Sequence, residues 1–259
     1  MYQPIHPRSP LETMPTMYDL PSELVGESGL PDEFHLIQAA LLTETCQPVG
    51  YSPEEILLAS DLNLYYDPRH TQWYKRPDWY MVVDLPKVAP QPEMRLSYLV
   101  WQEGISPFLV VELLSPGTES EDLGRRLREI NQPPTKWEVY ERILRIPYYV
   151  VYDRYENNLR VFKISGGRYE AIALSENRIW LENLGLGLGL WQGTYRNFSS
   201  LWLRWYDRTG WISTLAEKAE AESQSAEVER QRAEAERQRA DQLAAYLRSQ
   251  GIDPDNLPI

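Results

Sequence analysis

The chain has 259 residues, of which 42% are hydrophobic and 12% aromatic, enough apolar material for one sizeable folded domain with an appendage. Its formal charge of −12 argues against a broad surface that binds polyanions without specificity. The single Cys46 excludes an intramolecular disulfide and makes no zinc pattern with the three histidines, so any metal must be held mainly by oxygen.

Residues 1–30 are rich in Pro, Ser and Glu and show no periodicity, which predicts an extended arm. They contain no apolar signal core, and the chain has no run of about 18 apolar residues that could span a membrane. We therefore expect a cytoplasmic protein without a membrane partner.

Residues 31–212 have the patterns of a folded domain. A helix is predicted to start near Pro31, because Phe34, Ile37 and Leu41 follow helical spacing. From Trp73 the pattern changes to short, β-rich apolar runs, namely DWYMVVD, SYLVWQ, PFLVVELL, PYYVVYD, LRVFKI, RYEAIAL and LGLGLGL. The third and fourth runs are apolar on both faces, as expected of central strands that helices cover.

Two connections between these runs can also be predicted. The segment between PFLVVELL and PYYVVYD is helical in character but is broken by Pro133 and Pro134, which indicates a mixed α/β domain. YENN, after PYYVVYD, predicts a hairpin turn.

LGLGLGL has the spacing GxGxG, and it is not followed by the helix with a further glycine or by the later acidic residue that a dinucleotide-binding loop requires. A strand with leucines on one face and glycines on the other explains it better.

Residues 213–250 are dominated by Ala, Glu, Gln and Arg and contain the repeat ERQRAEA–ERQRADQ. They predict a charged helix and a weak coiled coil, because alanine fills one heptad position while its partner positions are mostly charged. Gly251 ends the helix and leaves a short tail at 251–259.

Glu112 is the most unusual residue of the domain, because a carboxylate inside the apolar run FLVVELL costs several kcal/mol unless it is paired or binds a metal. Asp78 opens a neighbouring predicted strand. Two such carboxylates can hold one Mg²⁺ ion, which prefers oxygen ligands.

Lys136 lies in TKWE, which predicts a helix start with Thr135 as N-cap and Glu138 reaching back to it. A lysine in the first turn opposes the helix dipole, so local structure does not require it there. Near a metal site it can orient or deprotonate a water molecule and stabilise charge on a phosphate.

Several short motifs occur in a characteristic order: RPD before a strand, LVVELLSPGT, the acidic-Leu-Gly segment 122–124, KWEVY and IPYYVVYD. Over residues 50–200 they resemble the Uma-type family of predicted restriction endonucleases, within the PD-(D/E)xK nuclease superfamily. The resemblance implies a restriction-endonuclease-like α/β core, with a mixed central sheet flanked by helices. It also implies Asp78 and Glu112 as metal ligands and Lys136 as the catalytic lysine.

The sequence departs from the superfamily pattern in the position of the lysine. Leu114 stands two residues after Glu112, where the superfamily name places a lysine, whereas Uma-type sequences carry it on the next helix with a tyrosine four residues later. Lys136 and Tyr140 match that spacing, although INQPPT interrupts the helix. Arg126 is the alternative to Lys136, and it could act only electrostatically because a guanidinium stays protonated.

Two functions remain open from the sequence. The first is an endonuclease that hydrolyses DNA phosphodiester bonds by water activated on Mg²⁺ or Mn²⁺, acting as a homodimer joined through the globular domain. The second is an inactive nuclease-fold module that recruits partners through its C-terminal helix.

Overall fold

The computed structural model of the chain describes residues 14–16, 19, 33–85, 94–114, 122–124 and 132–251. The chain divides into two units, Met1–Ile212 and Ser213–Ile259. Three predicted features lie outside the described residues: most of the arm at 1–30, the alternative site residue Arg126, and the tail that follows Gly251.

The described part of the chain contains strands β1 (Leu57–Ala59), β2 (Leu64–Tyr65), β3 (Tyr74–Lys75), β4 (Trp79–Val82), β5 (Tyr98–Leu99), β6 (Leu109–Leu113), β7 (Tyr148–Asp153), β8 (Asn158–Ser165), β9 (Arg168–Ala171), β10 (Arg178–Leu181), β11 (Leu186–Tyr195) and β12 (Phe198–Tyr206). Its α-helices are α1 (Glu33–Thr45), α2 (Val100–Glu103), α3 (Lys136–Glu138) and α4 (Leu215–Ser249), and α3 continues as a π-helix over Val139–Ile143. Short 3₁₀ turns lie at Pro53–Glu55 and Glu182–Leu184.

A six-stranded sheet in the order β1-β4-β6-β7-β8-β9 forms the centre of the first unit. Neighbouring strands are antiparallel except β6 and β7, which are parallel, so the sheet is mixed. The predicted central strands PFLVVELL and PYYVVYD are β6 and β7. Strands β10, β11 and β12 form an antiparallel sheet. Strands β3, β2 and β5 form a third, mixed sheet, in which β2 is antiparallel to β3 and parallel to β5.

Helices cover both faces of the central sheet, and each face has its own core. Along β6, Leu109 and Val111 pack with residues of α1 such as Leu41 on one face. Val110 faces the other way and packs with Val139 of the π-helix. This alternation confirms the predicted α/β class and explains why the central strands are apolar on both sides.

Two local predictions agree with the structure. The YENN segment is the turn between β7 and β8, with Asn157 at a φ of 50°. The last five residues of LGLGLGL, from Leu186 on, belong to β11, while Leu184 and Gly185 form the turn before it. A Cβ on Gly187 would lie 2.0 Å from the Tyr206 ring, so this glycine makes room for a neighbouring aromatic side chain.

The predicted strand SYLVWQ is wrong in its second half. Only Tyr98 and Leu99 pair, with Leu64 and Tyr65 of β2, and the chain then turns into α2. Gly104, with a φ of 79°, ends that helix. The partner strand β2 is only two residues long, so the residues after Leu99 have no backbone to pair with there and form a helical turn instead.

The described part of the second unit consists mainly of one long helix, α4. Thr214 is its N-cap and forms a capping box with Glu217. Glutamines bond to glutamates four residues earlier, in the pairs Gln224–Glu220, Gln231–Glu227 and Gln238–Glu234. These contacts repeat every seven residues and lie on the helix surface, where each such pair adds about 0.2–0.5 kcal/mol. Among the described residues, no helix has the length and apolar character required to cross a membrane.

Candidate active site

The register of β4 and β6 brings Asp78 towards Glu112. Trp79 pairs with Val111 and Tyr80 with Val110, so Asp78, the residue just before β4, lies next to the end of this ladder on the side of Glu112. Side chains alternate along a strand, and both carboxylates therefore point to the face of the sheet that α3 covers. The Asp78 carboxylate is held there because its Oδ2 accepts a 2.6 Å hydrogen bond from the backbone N–H of Leu113.

Helix α3 and its π-helical continuation each supply one side chain to Glu112. Lys136 Nζ lies 2.8 Å from Glu112 Oε2, and the Tyr140 hydroxyl donates a 2.8 Å hydrogen bond to Glu112 Oε1. The two residues share a helix face because they are four positions apart. The start of the helix is set by Thr135, whose side chain and backbone form the predicted capping box with Glu138.

Asp122 is a third acidic residue at this site. Its Oδ1 lies 3.1 Å from Lys136 Nζ, and its backbone carbonyl accepts a 2.9 Å hydrogen bond from the Tyr149 hydroxyl. Two residues later, Gly124 has a φ of 64° and leaves no room for a Cβ, which would lie 2.8 Å from Trp137. This close approach holds the 122–124 segment against α3.

His35 supports the site from the opposite face of the sheet. It is buried in α1, and its Nε2 lies 2.9 Å from the carbonyl oxygen of Leu113, the residue whose N–H binds Asp78. One peptide segment therefore connects the histidine of α1 to the carboxylate of Asp78.

Burial dominates the electrostatics of the two sheet carboxylates. It raises the pKa of Glu112 above the usual value, with Lys136 opposing the shift and the charges of Asp78 and Asp122 adding to it. Burial also raises the pKa of Asp78, again against the effect of Lys136. Both groups are therefore held in surroundings that disfavour their charged forms.

Lys136 stays protonated in these surroundings. Burial by itself lowers the pKa of its amine. The negative charges of Glu112, Asp122 and Asp78 together have a larger effect in the opposite direction, so the pKa lies well above the usual value. The side chain therefore acts as a hydrogen-bond donor and a positive charge, and it does not serve as a base in this state.

The cluster has the oxygen chemistry that a hard divalent cation prefers. Three carboxylates surround one ammonium, so the negative charge of the cluster is not fully compensated. Asp122 Oδ1 is buried with no hydrogen-bond donor in the described part of the chain, although it is within ion-pair distance of Lys136. The donor set therefore fits such an ion. Within the described ranges, however, no three His, Cys, Asp or Glu side chains are already arranged as a metal-binding group.

The three predicted site residues, Asp78, Glu112 and Lys136, lie in one cluster. The proline-containing interruption before α3 does not remove Lys136 from it. Two further residues of the cluster could have been found from the sequence, because Asp122 belongs to the acidic-Leu-Gly motif and Tyr140 follows Lys136 by four residues. His35 had no signal, because its contact joins residues 78 positions apart.

Comparison with known proteins gives a family for this chain. No curated protein matches it. It is similar to the crystal structure of a "putative nuclease belonging to DUF820" from Anabaena variabilis ATCC 29413, with 15% identity and a TM-score of 0.39. That alignment covers 64% of this chain and 88% of the other. The sequence model of the Uma2 family, described as "Putative restriction endonuclease", matches residues 10–197, and the chain therefore belongs to this family.

Proposed function

We propose that the protein is an endonuclease that depends on Mg²⁺ or Mn²⁺ and hydrolyses phosphodiester bonds of DNA. The observation that carries the proposal is the fully buried Glu112, which shares the Lys136 ammonium with Asp122 and lies beside Asp78. A buried group of three carboxylates with one ammonium is a costly arrangement that packing does not explain. Membership of a family described as restriction endonucleases supports the same conclusion.

In this proposal Asp78 and Glu112 would hold the cation. When bound, a divalent cation acts as a Lewis acid and lowers the pKa of water. Tyr140 keeps Glu112 oriented through its hydroxyl, and the Leu113 N–H does the same for Asp78. The Lys136 ammonium would orient the attacking water and stabilise negative charge that develops on the phosphate.

Cleavage of plasmid and single-stranded DNA tests the proposal. With Mg²⁺ or Mn²⁺ present, we expect activity in the wild type and a loss of at least about 100-fold in Asp78→Asn, Glu112→Gln and Lys136→Met, because each removes a charge that acts on the reaction. Asp84→Asn is the matched control. Asp84 lies just beyond the other end of β4, is exposed and has a φ of 59°, which asparagine tolerates. Equal cleavage by all five proteins would identify the activity as a contaminant.

An inactive nuclease-fold module that recruits partners through α4 is the second candidate. It is favoured by the contact between Lys136 and Glu112, because an ammonium already compensates the carboxylate that would bind the cation. Absence of metal-dependent cleavage by the wild type, together with retained folding, would support this candidate over the first.

A further inference from the structure

Both oxygens of Glu112 are already occupied by protein groups. The Tyr140 hydroxyl donates to Oε1, and the Lys136 ammonium lies 2.8 Å from Oε2. The carboxylate is completely buried. Each carboxylate oxygen has a second lone pair, but a divalent cation that binds Glu112 still comes close to one of these two partners.

Lys136 is the partner that has to leave. Mg²⁺ binds oxygen at about 2.0–2.1 Å, so a cation on Oε2 would lie next to the present position of the ammonium. Two positive charges at such a distance repel each other strongly in a buried site. Tyr140 has no charge and can remain on Oε1, where it keeps the carboxylate in place.

Asp122 provides the nearest alternative position for the ammonium. Its Oδ1 is 3.1 Å from Lys136 Nζ, its side chain is only 3% exposed, and the oxygen has no hydrogen-bond donor in the described part of the chain. Tyr149 holds the backbone of Asp122, and Gly124 holds the same segment against Trp137. The ammonium already forms an ion pair with this oxygen, and a small rotation of the lysine side chain would align that contact as a hydrogen bond.

We propose that Lys136 is the counter-ion of Glu112 in the cation-free protein and transfers to Asp122 when a divalent cation binds. Asp122 is then a positioning residue, which acts through Lys136. This inference depends on the cation site of the proposed function, but it makes a separate prediction about cation affinity.

Mn²⁺ affinity, measured by isothermal titration calorimetry without DNA, tests the proposal on the full chain. Lys136→Met should bind Mn²⁺ about tenfold more tightly than the wild type, since the competing ammonium is gone; such an effect is within the coupling range of residues in contact. Lys163→Met is the control for the loss of one positive charge, because Lys163 is exposed on β8. Lys136→Gln, which keeps a donor towards Glu112, replaces Lys136→Met if the latter does not fold in a thermal melt.

A double-mutant cycle separates transfer from direct binding by Asp122. Asp122→Asn should weaken Mn²⁺ binding about tenfold in the wild type, because the ammonium loses its second position, and by less than about twofold in Lys136→Met. An equal loss in both backgrounds would show that Asp122 binds the cation directly and would overturn the proposal. The proposal would also be overturned if the Lys136→Met variant bound Mn²⁺ no more tightly than the Lys163→Met variant.

DNA cleavage measured in parallel distinguishes the two proposals. The expected affinity pattern without any cleavage would leave the lysine transfer standing and reject the nuclease function. Cleavage that depends on Glu112, combined with unchanged Mn²⁺ affinity in Lys136→Met, would support the nuclease function and reject the lysine transfer. If no variant binds Mn²⁺, both are rejected.

Discussion

Glu112 is the residue around which the site is organised. Moving a carboxylate from water into a strand interior costs several kcal/mol, and its partners must offset that cost. Lys136 does so with charge, and Tyr140 does so with a hydrogen bond. Neither partner lies on the same strand, so the carboxylate depends on the docking of α3.

Tyr140 should orient Glu112 for cation binding. Replacing it by phenylalanine removes only the hydroxyl that binds Oε1, and the loss of such an orienting partner typically lowers metal affinity or activity by about 10- to 100-fold. We expect that decrease for Tyr140→Phe in both Mn²⁺ affinity and DNA cleavage.

Tyr169→Phe is the control for this change. Tyr169 packs in the same core, but its hydroxyl donates to the backbone carbonyl of Ile146 instead of to Glu112. It should retain wild-type affinity and cleavage. If Tyr140→Phe also behaves like the wild type, the hydroxyl does not orient the carboxylate.

At the scale of elements, the site depends on how the 122–124 segment meets α3. Helix α3 is short, and its continuation is a π-helix in which Leu144 N–H donates to the carbonyl of Val139. π-helical turns are rare and often occur at functional sites. Here Tyr140 lies in that turn and faces Glu112, so the irregular geometry coincides with the contact that holds the carboxylate.

Gly124 tests the fit of this segment. Gly124→Ala should lower the free energy of unfolding by about 1–2 kcal/mol for the positive φ and by about 1–3 kcal/mol more for the contact with Trp137. Gly104→Ala separates the two terms, because Gly104 has a φ of 79° and open space around its Cα. Urea denaturation should show a clearly larger loss for Gly124→Ala, and equal losses would mean that the contact with Trp137 is easily relieved.

At the scale of the whole molecule, we propose that the first unit forms a homodimer and that α4 is dispensable for it. A dimer would place two sites across a two-fold axis, one for each DNA strand. None of the residues of α4 is buried, and one heptad position carries mainly alanine, which contributes too little apolar area for tight pairing.

Light scattering on the full chain and on a chain truncated after Ser213 tests the assembly. Both should have the mass of a dimer, and a thermal melt of the shorter chain should show that it folds. A monomeric but folded truncation would place the interface in α4. A monomeric full chain would remove the dimer from the proposal altogether.

The sequence by itself determined those features that depend on local patterns. Alternation and apolar runs predicted the central strands β6 and β7, the capping pattern predicted the start of α3, and the unusual carboxylate inside FLVVELL marked Glu112 as a candidate site residue. These signals are short-range, because side-chain period and capping involve residues within about one turn or one strand. The order of the motifs then indicated the family.

Only the tertiary structure decided which groups complete the site. The sheet register brings Asp78 towards Glu112, and the docking of the π-helix makes the buried Tyr140 a partner of Glu112. The segment ending at Gly124 brings Asp122 to Lys136. His35 reaches the same site through Leu113 from the other face of the sheet. Such contacts join residues far apart in the chain, and their geometry follows from packing and strand register, which no local pattern specifies.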